Sequence, residues 1–487
     1  MDEVDNNSKG ITRQGIDSEL ATLIKDVYAP HDKILDLLLE KVEEIDFHEL
    51  AGVSPGEEVP IWKLIVIAVD EILRLAKFYH WGICKNRDFI YLFNGAYWFH
   101  LDCDRFMSFL GEVSHKLGVS ELRSRHYEFR KKLLSQFQAV ANMPPPRNLS
   151  GNSLINLTNG TLEIGQQGTN LRAFDRNDFL TYQLPFSYNP EARAPVFKNY
   201  LETVLSYREL RDILAEYIGY VFIPNQKLKL EKTILLYGTG ANGKSVFFDV
   251  INALLGRENV STYSLQNLTD KPGYYRAMVG NKLVNYASEI NRKLDPTLFK
   301  QLVSGEPVEA RLPYGQPFIL ENYAKLMFNT NELPKDVEHT NAYFRRFLII
   351  PFEVVIPEQH QDKNLANKII ASELPGVLNW VLEGMTRLLR NKNFTHSDIV
   401  SNQVKTYKNE SDTAWLFIEE MGYAPDTENY KSLRELYSQY KTFCSENNYR
   451  AYSNRSFVKQ LRSYQFETRR ITAGNIVFCK IDPTKYI

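Results

Sequence analysis

Between Gly238 and Ser245 the chain reads GTGANGKS, which fits the pattern G-x-x-x-x-G-K-[S/T] with Gly238, Gly243, Lys244 and Ser245. Glycines at those points let a loop curl until its backbone N–H groups face a polyphosphate, and a helix beginning at the loop's end adds its positive dipole end. Lys244 would reach the β- and γ-phosphates of ATP, and the Ser245 hydroxyl would take one position on a bound Mg2+; Thr239, Gly240, Ala241, Asn242 and Val246 complete the nucleotide-binding stretch. Further on, polar residues close or precede apolar runs. Glu289 follows Leu283 to Ala287, where a nucleotide enzyme needs a carboxylate to orient magnesium or activate water, and Asn331 follows Leu326 to Phe328, where an amide can hold that water. Arg345 and Arg346 stand just before another buried run; a guanidinium suits a phosphoryl transition state, and ring ATPases commonly supply it from the neighbouring subunit. Each has a plainer reading as well: a solvated strand-end acid, a turn residue before Leu333-Pro334, and surface ion-pair partners.

A strand must lead into such a loop and a helix must leave it. Ile234 to Tyr237 are apolar or aromatic, and after Ser245 the apolar residues recur at helical spacing, so strand, loop and helix come in the required order. From about 230 to about 355 apolar strand runs alternate with helical stretches, as in an α/β nucleotide domain, and "NLANKIIASELPGVLNWVLEGMTRLLR" closes it near 392. Before it, residues 1–147 read as a helical accessory region. It carries helical patterns from 19 to 45 and from 61 to 79, a hairpin turning at Asn94-Gly95, a helix from about Asp104, and a basic helix "ELRSRHYEFRKKLLSQFQAV" whose charges fit a solvated face. The proline break "MPPPR" leads to short strands and a helical, collar-like stretch over 148–229; 393–487 holds a polar linker and a last small unit.

Bulk composition sets outer limits. A chain of 487 residues has room for about three domains, and 44 % hydrophobic with 24 % charged residues is ordinary for a globular protein. Cys84, Cys103, Cys444 and Cys479 are too scattered for a zinc ribbon or a disulfide framework. No run approaches a membrane span and the acidic start "MDEVDNNSKG" is no signal peptide, which predicts a cytoplasmic protein without a membrane partner. With a net charge of −1, nucleic-acid contacts would have to come from local basic patches.

Taken together, "GTGANGKS", "LVNYASEI", "FKQLVSGEPVEAR", "KLMFNTNELP", "YFRRFLIIPF" and "ELPGVLNWVLEGMTRL" resemble the phage/plasmid primase-helicase family within the superfamily 3 helicases, related to the poxvirus primase-helicase; the resemblance covers about residues 85 to 480. It implies an α/β fold with an AAA+-like P-loop ATPase core, homo-hexameric rings, ATP and Mg2+ as cofactors, and helicase work on single-stranded and forked DNA in mobile-element replication. Carried over by position, Gly238 to Ser245 match Walker A, Glu289 the acidic end of Walker B, Asn331 the sensor asparagine, and Arg345/Arg346 the arginine-finger region. Lys300 to Phe318 match a motif whose hairpin projects toward single-stranded DNA. Two departures stand out: Ser288 replaces a second acid before Glu289, and the hairpin tip has Pro313 where relatives tend to carry lysine, leaving Arg311 and Tyr314 for phosphate contact and base stacking.

Many relatives fuse a primase to this helicase. Here Asp102-x-Asp104 is the nearest thing to a metal-binding acid pair, and Asp104 reads better as a helix N-cap, so a separate primase or initiator is the implied partner. At the other end, helix, helix and a hairpin turning at Ala473-Gly474-Asn475 resemble a winged helix. Arg455, Lys459 and Arg462 share one face of its second helix, and 451–470 hold five basic residues against Glu467. An ATP-dependent origin-binding loader would share all these features, and a small-molecule P-loop kinase would need neither the arginine pair nor the winged helix.

Overall fold

The computed structural model describes residues 30–87, 89–143, 151–165, 168–288, 290, 294–313, 315–334, 337–472 and 474–482, which fall into two compact units divided between Tyr188 and Asn189. In the first unit, helices α1 (His31–Glu40) and α2 (Ile61–Phe78) bury apolar stripes, Ile34, Leu35 and Leu38 on one and Leu64, Ile65, Ala68, Val69 and Ile72 on the other, at i, i+3, i+4 spacing. Strands β1 (Gly82–Asn86), β2 (Phe89–Phe93) and β3 (Trp98–Leu101) form an antiparallel sheet. The β2–β3 turn is at Asn94-Gly95 as read, with Asn94 Oδ1 accepting from the Ala96 and Tyr97 amides; β1 is an addition to the hairpin.

Two readings of this unit need correction. Helix α3 (Cys103–Lys116) is capped by Asp102, whose carboxylate accepts from the Arg105 amide, and not by Asp104, which sits in the first turn. The basic stretch is two helices, 121–125 and α4 (Tyr127–Val140), because His126 is extended (φ −68°, ψ 129°) and the Arg130 Nε–H takes up the carbonyl of Ser124 at 3.0 Å. A second antiparallel sheet, β4 (Ser153–Leu157), β5 (Gly160–Gly165) and β6 (Gly168–Arg172), follows.

The second unit begins with α5 (Pro195–Val204) and α6 (Arg208–Val221). Its centre is an all-parallel sheet of β7 (Thr233–Tyr237), β8 (Val260–Ser261), β9 (Val284–Ala287), β12 (Lys325–Thr330) and β13 (Phe347–Pro351), in the spatial order β13-β7-β12-β9-β8. The strands read as continuous apolar runs because helices cover both faces. Among those helices are α7 (Lys244–Leu255) and α8 (Pro296–Ser304), the second leading into a two-stranded hairpin of β10 (Val308–Arg311) and β11 (Pro317–Leu320). Helix α9 (Leu374–Asn391) lies so close to α6 that a Cβ on Gly219 or Gly384 would stand 2.6 Å from Met385 Cβ or 2.4 Å from the Ala215 carbonyl carbon. Buried Glu216 is satisfied by Arg387 at 2.6 Å and by the Thr395 amide and hydroxyl.

The polar stretch read as a linker folds instead. Helix α10 (Asp398–Glu410) buries Val400 and Tyr407, the latter with ring centroids 5.4 Å from Phe344 and 5.8 Å from Phe347. Helix α11 (Thr413–Glu420) belongs to a separate C-terminal core with α12 (Leu433–Glu446), α13 (Asn454–Ser463) and a sheet ordered β14 (Tyr423–Ser432), β16 (Gly474–Ile481), β15 (Thr468–Ile471). Among the described residues no helix is long and apolar enough to cross a membrane.

Candidate nucleotide and nucleic-acid site

Strand β7 lies between β12 and β13, so the connection out of β7 opens at the point where the strand order reverses, the usual ligand crevice of an open parallel sheet. The GTGANGKS loop leaves β7 there. Gly240 and Gly243 adopt left-handed backbone (φ 122° and 87°) and Ala241 joins them at φ 49°. Gly238 has no room for a side chain: a Cβ would stand 2.3 Å from Asn242 Nδ2 and 2.4 Å from the Phe352 carbonyl oxygen. The loop is tied down at several points. Asn242 Nδ2 donates to the Phe352 carbonyl at 3.0 Å, the Ile356 amide to that of Ala241 at 2.8 Å, and the Tyr200 hydroxyl, from α5, to that of Gly243 at 2.8 Å. Helix α7 then starts at Lys244 and buries Phe247, Val250, Ile251, Leu254 and Leu255 at helical spacing.

Lys244 is buried and its Nζ donates to the Gly238 carbonyl at 2.5 Å and to Asn242 Oδ1 at 3.1 Å. Burial lowers the pKa of its ammonium, so an anion arriving at the loop would relieve a desolvated charge. Ser245 and Thr239 are exposed. Register levels the neighbouring strand ends: Thr330 pairs with Tyr237 and Phe328 with Ala287, which sets exposed Asn331 and Ser288 at the same carboxyl edge as the loop. Glu289 lies outside the described residues. Between the strands the buried Tyr286 hydroxyl donates to Asn329 Oδ1 at 2.9 Å, and burial drives its pKa well up. Sequence reading missed Tyr200 on α5 and, in the strands, Tyr286 and Asn329, for which a polar group inside an apolar strand is the local sign.

The arginine pair stands at the other end of the sheet. Both precede β13, whose first residue pairs with Thr233, the first of β7, and the five-residue strand puts about 15 Å between them and the loop. Arg345 is exposed and pairs with Glu231 at 2.9 Å. Arg346 is buried, donates to the Ala342 carbonyl and to Ser304 Oγ at 2.9 Å, and lies 3.4 Å from Glu231. The two arginines are therefore unlike, and only Arg345 can be offered to another chain without unpacking the core.

Beyond the sheet, Arg311 closes β10 and its Nε–H is turned back onto the Gly315 carbonyl at 2.8 Å; Tyr314 lies outside the described residues. Lys300 is on α8, not on the hairpin, and is held by Glu338 at 2.8 Å. Sequence reading overlooked Tyr274 and Tyr275 on the one-turn helix Tyr274–Ala277. Both are exposed and this turn is fastened to the hairpin: buried Arg276 donates to the Glu309 carbonyl at 2.9 Å, and the Arg311 amide to that of Gly273 at 3.3 Å. In the C-terminal core Arg455, Lys459 and Arg462 are exposed along α13, and Arg462 Nε donates to Thr468 Oγ1 at 2.8 Å.

Three family models match in chain order: D5 N terminal like over 70–206, a family of unknown function (DUF5906) over 236–346, and Poxvirus D5 protein-like over 409–484. The two D5-type matches support a phage primase-helicase family for this chain. In sequence, the two D5-type segments precede and follow the stretch that forms the sheet with the phosphate loop, and they point to a replication-related role. Among solved structures, an apo A form of the NrS-1 C-terminal region is similar at 12 % identity and a TM-score of 0.46, over 88 % of this chain and 100 % of that one. A second apo structure of that region gives 11 % and 0.45 over 87 % and 100 %.

Proposed function

We propose that the protein is an ATP-dependent DNA helicase of mobile-element replication, of the superfamily 3 type, in which copies assemble into a ring and translocate on single-stranded DNA. The observation that carries this reading is the division of labour across one parallel sheet. The phosphate loop, Ser288 and Asn331 share the carboxyl edge, while Arg345 stands at the amino end, a strand's length from its own loop, where it would serve another copy's nucleotide. Such an edge fits ATP with Mg2+: the glycine loop is a backbone cradle, Lys244 a desolvated cation, and Ser245 an exposed hydroxyl beside it. Bound, they supply the phosphoanhydride and a charge-neutralising cation. Around them, Lys244 would hold the outer phosphates, Asn331 would position water, and Glu289, by its place after β9, would take that water's proton. Arg345 of the adjacent copy would meet the charge that develops on the transferred phosphoryl group.

An AAA+-like core fits the β13-β7-β12-β9-β8 order. A winged helix fits the C-terminal core, where α11, β14, α12 and α13 precede the β15–β16 hairpin and α13 exposes its basic face. The hairpin, with Arg311 and the exposed Tyr274 and Tyr275 beside it, suits a sequence-independent track for a single strand. Tyr275→Ala should weaken single-strand binding by about 1–3 kcal/mol, read by fluorescence anisotropy. The whole reading is tested by strand displacement on forked DNA with arms of either polarity. Displacement requiring both ATP and Lys244 supports a helicase; ATP turnover without displacement would replace it with an origin-binding loader.

A further inference from the structure

The segment 337–346, which ends in the arginine pair, is held from two sides. On one side α8 grips it twice, through Lys300 on Glu338 at 2.8 Å and Ser304 on Arg346 at 2.9 Å. On the other side His339 is inserted into the start of the C-terminal core. Its side chain is 5 % exposed, its Nε2 lies 2.6 Å from the Ser411 carbonyl oxygen, and its ring lies 5.5 Å from Phe344 and 6.0 Å from Tyr452.

The partner it faces is a carboxylate with several duties. Asp412 is 1 % exposed and caps α11 by accepting from the Ala414 amide at 2.9 Å with one oxygen. Its other oxygen accepts from the hydroxyl of Tyr464, the residue that ends α13 and whose ring packs 4.9 Å from Trp415. That same oxygen stands 3.9 Å from His339 Nδ1, which makes no hydrogen bond. Because Nε2 faces a carbonyl and donates to it, Nδ1 of the neutral ring presents a lone pair to the carboxylate oxygen, so the two groups meet as an unbonded, buried contact through which a shift of Asp412 presses on the ring. A second orphan, Arg346 Nε, lies at the far end of the same segment. The segment thus carries three buried polar atoms without a hydrogen-bond partner, His339 Nδ1, Tyr343 Oη and Arg346 Nε.

We infer that His339 is a positioning residue that, through Asp412 and Tyr464, links the basic helix α13 to the segment carrying Arg345, so that duplex DNA seated on α13 changes the rate of ATP turnover. This rests on the function proposed above and adds to it a route between the C-terminal core and the nucleotide site of the next copy. A load on α13 moves Tyr464, Tyr464 moves the Asp412 carboxylate, and His339 follows with the loop that ends in Arg345. Reciprocity governs the binding part of this coupling and not the turnover rate: whatever factor duplex applies to nucleotide affinity, nucleotide applies to duplex affinity.

The test compares wild type with His339→Phe, which keeps the ring against Phe344 and Tyr452 but removes both nitrogens, and with Tyr464→Phe, which removes the hydroxyl from the other side of Asp412. ATP turnover is measured with and without duplex DNA, and duplex affinity with and without a non-hydrolysable ATP analogue; thermal unfolding checks that each variant folds. The link predicts DNA-free turnover and nucleotide-free duplex affinity near wild type in both variants, with duplex stimulation and the nucleotide's effect on duplex affinity cut by about fivefold or more. Wild-type coupling in both folded variants overturns the link and leaves the helicase reading standing. A wild type that displaces strands while its turnover ignores duplex also overturns the link alone, whereas a wild type that hydrolyses no ATP removes both.

Discussion

The two ends of the parallel sheet are built differently. At the carboxyl edge the chain is irregular and its geometry is fixed by backbone: left-handed residues at 240, 241 and 243, a glycine at 238 with no space for a side chain, and carbonyls tied to Asn242 and Tyr200. At the amino end side chains are spent on one another, Arg345 and Arg346 both on Glu231, with Arg346 also closing onto Ser304. A loop held by backbone can present N–H groups to a ligand without rearranging. An exposed arginine held by an ion pair, an interaction of small net value, can be released to a competitor anion at little cost. In the function proposed above each end would supply half of a phosphoryl-transfer site, and the sheet keeps the two ends about 15 Å apart in one chain.

If that division is right, the variants separate by end and by role. Lys244→Ala should abolish ATP turnover, the largest effect, seen as phosphate release at background. Arg345→Ala should leave nucleotide binding intact and lower turnover by about 10³-fold, whereas a cis or purely structural Arg345 would leave the rate within a few-fold of wild type. Arg346→Ala should instead act on folding: it strips Ser304 and Glu231 of a buried partner and should cost about 2–3 kcal/mol in denaturant unfolding. A normal stability with lost catalysis would reverse the assignment of the two arginines. Smallest, Tyr200→Phe removes a single hydrogen bond to the Gly243 carbonyl and should weaken the nucleotide-bound state by about 1 kcal/mol, measured as ATP affinity, with the fold intact.

What could be read from the sequence was whatever rests on short-range pattern. The glycine spacing, the apolar strand before the loop, the place of Asn331 after its strand, the Asn94-Gly95 turn and the 3.6-residue stripes on α2 and α7 are all local. The difference between Arg345 and Arg346 was not, because it is made by Glu231 and Ser304, more than a hundred and about forty positions away. The same holds for Tyr200, which reaches the phosphate loop across 43 positions, and for α10, whose polar composition hides Tyr407, buried against Phe344 and Phe347. The break at His126 escaped notice because neither proline nor glycine marks it; a side-chain cap from Arg130 stabilises it instead. Asp102 and Asp104 were separable only by seeing whose carboxylate meets the Arg105 amide.

The central claim, that one ATP site is completed by two copies, is tested most directly by mixing. Lys244→Ala and Arg345→Ala chains are each inactive by the account, so ATP turnover is measured as the two are combined at varying ratios, with mixed assembly verified by pull-down of differently tagged chains. The account predicts that activity returns and peaks at intermediate ratios, where a wild-type loop meets a wild-type arginine from its neighbour. Verified mixed assemblies that stay at the inactive baseline at every ratio would contradict it.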